Sequence, residues 1–185
     1  MPTVYIIAGP NGAGKTTASN TLLPEFFGIN QFVNADEIAK GLSPYAPESV
    51  SVESARIMLG RIKTLIKEEE NFGFETTLTT LAYKNYIKLA KDKGYIVKLL
   101  FLWLNSPQVA KERVKKRVSE GGHNIPNEVI ERRYFKGIKN LPDFLLLADD
   151  WLIFDNSSGE YEAVAKKENN VQEIFNLAVW EKLKR

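Results

Sequence analysis

The run Gly9-Pro10-Asn11-Gly12-Ala13-Gly14-Lys15-Thr16-Thr17 carries the densest chemistry in the chain. It fits the pattern G-x-x-x-x-G-K-[ST]. Glycine is needed where a backbone must take positive φ and close on a ligand without a Cβ clash. In such a turn Gly9, Asn11, Gly12, Ala13 and Gly14 present successive N–H groups as an anion nest, and the helix that follows adds partial positive charge. Lys15 then reaches the β- and γ-phosphates of a nucleoside triphosphate, Thr16 offers a hydroxyl to Mg²⁺, and Thr17 lies near the α-phosphate. The plain alternative is a glycine-rich turn with no ligand.

Two acids stand where further strands are expected to end. Asp36, in Phe32-Val33-Asn34-Ala35-Asp36-Glu37, is placed to take the proton of an acceptor hydroxyl. It is also a favoured helix N-cap, and the two roles are compatible. Glu75, in Phe72-Gly73-Phe74-Glu75-Thr76-Thr77, suits a Mg²⁺-bound water or an acceptor hydroxyl, with Thr77 beside it. A surface acid or cap is the plainer reading of Glu75. Residues 111–117 hold five cations and one acid, and Arg113 and Arg117 share a helix face. Arg132 and Arg133 follow, beyond Gly121-Gly122-His123-Asn124-Ile125-Pro126. Two basic helices joined by a glycine-hinged loop read as a lid over about residues 112–135, able to carry arginines onto a transferring phosphate and exclude water. A solvated charged face is the alternative. His123 reads as a lid contact rather than a catalyst. Asp155-Asn156-Ser157-Ser158-Gly159 follows the last parallel strand, near the purine in this architecture, where Asn156 or Ser157 can touch it; a polar turn is equally in keeping with those residue types. Tyr83, Tyr86, Phe101, Trp103 and Trp180 read as packing.

These groups need a scaffold that brings strand ends together. Strands are expected at 3–8, 31–34, 72–76, 95–103 and 151–154, with an edge strand at 161–166. Helices are expected at 15–23 (ended by Pro24), 36–40, 48–70, 80–93, 106–120, 127–148 (kinked at Pro142) and 170–183. Gly94 reads as a left-handed helix terminator, and Ser106-Pro107 as an N-cap followed by a first-turn proline. The nearly continuous apolar run at 95–103 suits a central parallel strand buried on both faces. Alternation of strand and helix argues an α/β fold. It is a doubly wound, mostly parallel five-stranded sheet with helices on both faces, of the P-loop NTPase, nucleotide-kinase-like kind, with a helical lid. No shift of composition marks a boundary, so residues 1–185 are expected to form a single domain.

The composition excludes much else. The chain has 185 residues, 44% hydrophobic, with no cysteine and one histidine. Disulfide scaffolds, thiolate metal sites and cysteine nucleophiles are therefore out, and so is a multi-histidine metal site. The 25 basic residues against 23 acidic give a net charge of +2, so no nucleic-acid footprint is expected. The apolar run 96–104 is interrupted by Lys98 and too short for a bilayer. The first residues lack a basic segment of the kind that opens a secretory signal. A cytoplasmic protein with no membrane contact is expected.

Among P-loop classes, an N-K-x-D element for guanine is absent from the sequence, as are an L-S-G-G-Q signature and a strand ending in adjacent acids. Small-molecule and nucleotide kinases remain, in which catalysis is positioning plus charge neutralisation. The ordered set Gly9 to Thr17, Val33-Asn34-Ala35-Asp36, Phe74-Glu75-Thr76-Thr77, Gly121 to Pro126 with Arg132-Arg133-Tyr134, and Asp155-Asn156-Ser157 resembles the zeta-toxin family of P-loop kinases. The resemblance spans about residues 3–158. It implies transfer of the ATP γ-phosphoryl group to a hydroxyl of a small molecule, in the best-known members the sugar of UDP-N-acetylglucosamine. It further implies Lys15 and Thr16 as phosphate and magnesium residues, Asp36 as base, and Glu75 and Thr77 as acceptor ligands. Arg117 and one of Arg132 or Arg133 would be the lid cations. A nucleotide or nucleoside kinase, or an ATP-binding switch with little turnover held by an antitoxin-like partner, are the competing expectations.

Overall fold

The structure, a computed structural model, describes residues 1–122 and 124–184. The expected lid contact His123 lies outside the described residues. Strands β1 (Thr3–Ala8), β2 (Phe32–Val33), β3 (Phe72–Thr76), β4 (Ile96–Trp103), β5 (Asp150–Asp155), β6 (Glu162–Glu168) and β7 (Val171–Ile174) form one sheet in the order β2-β3-β1-β4-β5-β6-β7. The first five pair in parallel, and β6 and β7 add antiparallel strands at one edge. The parallel five-stranded part is thus as expected, and the sheet as a whole has seven strands.

The register determines what meets at the sheet edge. Ala8 pairs with Thr76 on one side and Phe101 on the other, while Val33 pairs with Phe74. The carboxyl ends of β1, β2 and β3 therefore lie side by side, and the loops leaving them share one crevice. One face of β4 is buried throughout, at Val97, Leu99, Phe101 and Trp103; on the other face Leu102 is buried while the Lys98 side chain is 41% exposed, so the expected burial on both faces holds only toward the end of the strand. Each such apolar side chain contributes about 1.5–3 kcal/mol by leaving water.

The helices are α1 (Lys15–Thr21), α2 (Ala35–Leu42), α3 (Ser51–Lys67), α4 (Ala82–Asp92), α5 (Pro107–Ser119), α6 (Asn127–Leu147) and α7 (Leu177–Leu183). Their ends follow side-chain chemistry. The Ser106 side chain accepts from Val109 N at 3.3 Å, with Pro107 in the first turn. After α4, Gly94 is left-handed at φ 79°, with Tyr95 N donating to Ala90 O and Gly94 N to Lys91 O. That pair of bonds is a Schellman motif. α1 ends earlier than the sequence suggests. Its last turn widens into a π-turn, Leu22–Phe26, which accommodates Pro24. α6 continues past Pro142 to Leu147.

One expectation fails at the end of the chain. Residues 170–183 read as a helix, but the structure has β7 followed by the short α7. Asn169 and Asn170 both take positive φ, 51° and 64°, between the paired residues Glu168 and Val171. This is a two-residue hairpin turn of the kind whose twist matches flanking strands, and asparagine tolerates it. The apolar spacing of Val171, Ile174 and Leu177 imitates a helix, and the turn overrides it. α7 still packs as expected at Trp180, whose ring stacks on Trp151 at 5.4 Å.

Two apolar clusters support the crevice. The larger lies around β1, β3, β4, α3 and α4. The smaller joins Ala13 and Ala18 of the phosphate loop and α1 to Leu102, Leu104, Ala110, Val114, Ile130 and Tyr134. Helix α5 packs directly on the loop, with Ala110 O and the Arg113 Cβ at Gly12, and α6 packs on α5 within the same cluster. Among the described residues no helix is long and apolar enough to cross a membrane.

α6 approaches the sheet edge through Gly137. A Cβ there would sit 2.4 Å from the Thr77 backbone oxygen, far inside contact distance. Gly137→Ala should therefore destabilise the protein by about 1–3 kcal/mol, although alanine favours a helix. Thermal unfolding followed by circular dichroism checks this, and a Tm equal to or above that of the unsubstituted chain would contradict it.

Candidate active site

The phosphate loop runs from β1 into α1. Gly9, Gly12 and Gly14 have φ of 145°, 77° and 86°. Their freedom is required from behind as well as from the ligand side. A Cβ on Gly9 would lie 2.2 Å from Leu102 O, and one on Gly12 would meet Ala110 O and the Arg113 Cβ at 3.0 Å. The loop is thus pressed between the end of β4 and α5. A Cβ on Gly14 would meet Asn156 Nδ2 at 3.1 Å and the Tyr161 hydroxyl at 3.3 Å.

Arg113 and Asn156 brace this loop. The Arg113 guanidinium donates to Gly12 O (3.4 Å), Asn156 O (2.5 Å) and Ser157 O (3.1 Å). The buried Asn156 donates through Nδ2 to Ala13 O at 2.9 Å. One face of the loop is therefore tied to α5 and to the segment after β5. The Ser157 hydroxyl donates to Asp155 and accepts from Asn105 N, which fixes that segment in turn.

Glu75 is the hub of the other side. Its side chain is 10% exposed, and its Oε2 accepts from Thr16 Oγ1 at 2.8 Å and from Asn34 Nδ2 at 2.9 Å. Lys15 Nζ lies 3.5 Å from Oε1 and donates to Pro10 O at 2.9 Å. A carboxylate so enclosed needs donors, and it draws them from α1, the phosphate loop and the end of β2. Asp36 sits in the first turn of α2. The cap of that helix is Asn34, whose Oδ1 accepts from Asp36 N at 2.8 Å. The carboxylate of Asp36 therefore does not serve as the N-cap.

A cavity of about 450 Å³ opens beside these groups. Asn11, Lys15, Asp36, Glu75 and Thr77 line it, and so do Arg132 and Arg133 from α6. Asn11 is 4% exposed, and its Oδ1 is buried with no hydrogen-bond partner among the described residues. Thr77 shares a hydrogen bond with Thr79, 3.1 Å between hydroxyl oxygens. Arg117 does not line the cavity; the chain turns at Gly122, whose N–H donates to Arg117 O, and a Cβ there would meet the Arg117 side chain at 2.5 Å. Asn156 and Thr17 also lie outside the cavity lining, Asn156 on the far side of the loop.

Tyr83 reads as core in the sequence, and it is buried, yet it lines the cavity as well. Burial pushes its hydroxyl up to about 12, against a lowering hydrogen bond from Thr76, with the Asp36 charge adding to the rise. Tyr83 is therefore a neutral hydroxyl near Asp36 at ordinary pH and no rival to it as a base. Three positions escape sequence reasoning: Arg113 as the loop's brace, Asn34 as the bridge to Glu75, and Leu78. Leu78 is fully buried with φ 56°, a strained conformation for a branched side chain, one residue after Thr77. Its N–H donates to Thr76 Oγ1 and its carbonyl accepts from Asn140 of α6. The Arg113 and Asn34 roles have a sequence signal only in hindsight, since each depends on which backbone groups the fold leaves nearby.

The family profile described as Zeta toxin matches residues 1–160. An uncharacterized protein of Haemophilus influenzae (strain ATCC 51907 / DSM 11121 / KW20 / Rd) is 29% identical over 126 residues, 68% of this chain and 88% of that one. Among solved structures, the AvrRxo1-ORF1:AvrRxo1-ORF2 complex with sulphate ions matches with a TM-score of 0.78 at 19% identity. The match covers 99% of this chain and 63% of that one, so the chain spans less than two thirds of that relative. The same pair with ATP gives 0.77 at 20%, again over 99% and 63%. A structure from the PezAT chromosomal toxin–antitoxin system of Streptococcus pneumoniae gives 0.66 at 19%, over 92% of this chain and 74% of that one. At these identities the likeness is one of fold.

Arg113 supplies the test of the brace. Arg113→Ala should lower stability by about 1–3 kcal/mol, because three backbone carbonyls lose a charged donor. Arg113→Lys should recover only part of that, since an ammonium lacks the planar fork. Urea unfolding measures both, and an unchanged midpoint in Arg113→Ala would show the brace to be idle.

Proposed function

The chain belongs to the zeta-toxin family, and from that premise we propose that it is an ATP-dependent kinase acting on a hydroxyl of a small molecule. The observation that carries the proposal is the shared cavity. Lys15 of the phosphate loop, the acid Asp36 and the cations Arg132 and Arg133 line one space of about 450 Å³. In the proposed reaction the acceptor oxygen attacks the γ-phosphorus in line. The bond from that phosphorus to the bridging oxygen breaks, ADP leaves, and the acceptor proton passes to Asp36. Gly9, Asn11, Gly12, Ala13, Gly14, Thr16 and Thr17 would hold the triphosphate, with Asn156 keeping the loop in shape. Thr77 would meet the acceptor, and Glu75 would orient Lys15 and Thr16 as well as any acceptor hydroxyl within reach.

Magnesium fits the residues present. The Thr16 hydroxyl already donates a hydrogen bond to Glu75, which leaves its oxygen lone pairs for a hard cation. When bound, the ion would neutralise charge on the phosphates.

Residues 112–135 would act as the lid, with Arg133 and Arg117 as its cations and Arg132 toward the acceptor. A lid built on α5 and α6 would also have to respect the packing of α5 on the loop. The acceptor classes to test first are nucleotide-sugars, then nucleosides and nucleotides. The toxin–antitoxin origin of one fold relative supports adding a protein partner to the proposal. A cytoplasmic setting would follow from the use of ATP.

The decisive experiment is metabolite profiling with γ-labelled ATP. The wild-type protein should label one acceptor class. Asp36→Asn should lose about 10²–10⁴-fold in transfer rate while still binding ATP. Transfer at the wild-type rate in Asp36→Asn would remove the base assignment.

A further inference from the structure

We propose that Asn34 is a positioning residue that links the proposed base to the phosphate side of the site, an inference that rests on the kinase reading above. Asn34 directly follows β2 and is 7% exposed. Its amide is used at both ends. Oδ1 accepts from Asp36 N at 2.8 Å, and Nδ2 donates to Glu75 Oε2 at 2.9 Å. The same Glu75 oxygen accepts from Thr16 Oγ1.

Capping α2 does not by itself require this side chain. Aspartate and serine cap as well as asparagine. Aspartate has no donor, and serine carries its one O–H on the same short-armed oxygen that would cap. The amide alone puts an acceptor for the Asp36 backbone and a donor for the Glu75 carboxylate on separate atoms. Without the donor, Glu75 Oε2 keeps Thr16 alone and its direction relative to α2 is no longer set. Asn34 thus makes the position of Asp36 and the orientation of Glu75 a single variable. The phosphate loop joins that unit through Thr16 and Lys15.

Asn34→Asp separates the two functions. It keeps the cap acceptor and the side-chain shape, and it replaces the donor by a carboxylate facing Glu75. ATP affinity is measured with excess Mg²⁺ and with EDTA, using a fluorescent ATP analogue, for wild type, Asn34→Asp and Asn34→Ser. Helix content is followed by circular dichroism. For the neutral variant Asn34→Ser the expected result is near-native helicity, a wild-type affinity in EDTA, and a loss of about tenfold in the Mg²⁺-dependent gain; Asn34→Asp adds a charge beside Glu75, so its affinity in EDTA should fall below that of Asn34→Ser. Asn34→Ser keeps a cap acceptor without the amide arm and without a new charge, so the Mg²⁺ dependence is read in that variant. A wild-type Mg²⁺-dependent gain in Asn34→Ser would overturn the positioning role and leave Asn34 as a helix cap. A wild-type protein that binds no ATP would overturn the kinase reading itself. The two failures are thus read in different proteins.

Discussion

Glu75 is a carboxylate with little access to water, and the site is arranged around its need for donors. Desolvating a charge is tolerable only when hydrogen bonds replace the lost water. Here the donors are Thr16 from the start of α1, Asn34 from the end of β2 and, at slightly longer range, Lys15. They reach it from two sides, so the requirement of one side chain places both the phosphate loop with α1 and the start of α2. The parallel register makes this feasible, because pairing Ile7 with Glu75 and Val33 with Phe74 sets those elements at one edge. A slip of one residue in β3 would turn Glu75 to the opposite face and bring Phe74 or Thr76 in its place.

The second support comes from α6. Its Tyr134 hydroxyl donates to Leu104 O at 2.7 Å, just past β4, and burial pushes that hydroxyl up to about 12. Three residues on, Gly137 lets the helix backbone touch the turn after β3, and Asn140 then holds the Leu78 carbonyl. Leu78 pays for this turn with a left-handed backbone, a strain of roughly 1–2 kcal/mol that the surrounding bonds sustain. The outcome is that Thr77, from the turn, and Arg132 and Arg133, from the helix, line one cavity without sharing an element. The middle of α6 is anchored, and its first turns carry the arginines.

Much of this is legible in the chain. The loop motif announces itself because its glycines and lysine are local, and the five parallel strands follow from apolar runs separated by helical spacing. Asp36, Glu75 and Thr77 can be placed near the loop because strand ends in such sheets converge, and Arg132 and Arg133 because a basic helix and a glycine-rich stretch before them read as a lid. What is illegible depends on contacts across the fold. Arg113 looks like one more charge on a basic helix; nothing local says that three carbonyls await it. Gly137 reads as a weak point in a helix until the turn at Thr77 is packed against it. β7 is hidden because Val171, Ile174 and Leu177 fit a helical stripe, and the asparagine pair is a turn signal only to a reader expecting a hairpin.

The charge arrangement also bears on how any phosphate would bind. Lys15 already donates to Pro10 O and lies near Glu75, so a phosphate would share or displace these partners rather than meet a bare ammonium. The free energy gained would be reduced by whatever bonds are given up. Glu75 would lose part of its Lys15 partner in that exchange while keeping Thr16 and Asn34. Its remaining charge would face the incoming anion unless another cation entered with it. A hard divalent ion beside Thr16 removes that conflict, and a monovalent one does so only in part. Under the kinase proposal, the acid that organises the site would also call for a divalent cation once a phosphate is bound.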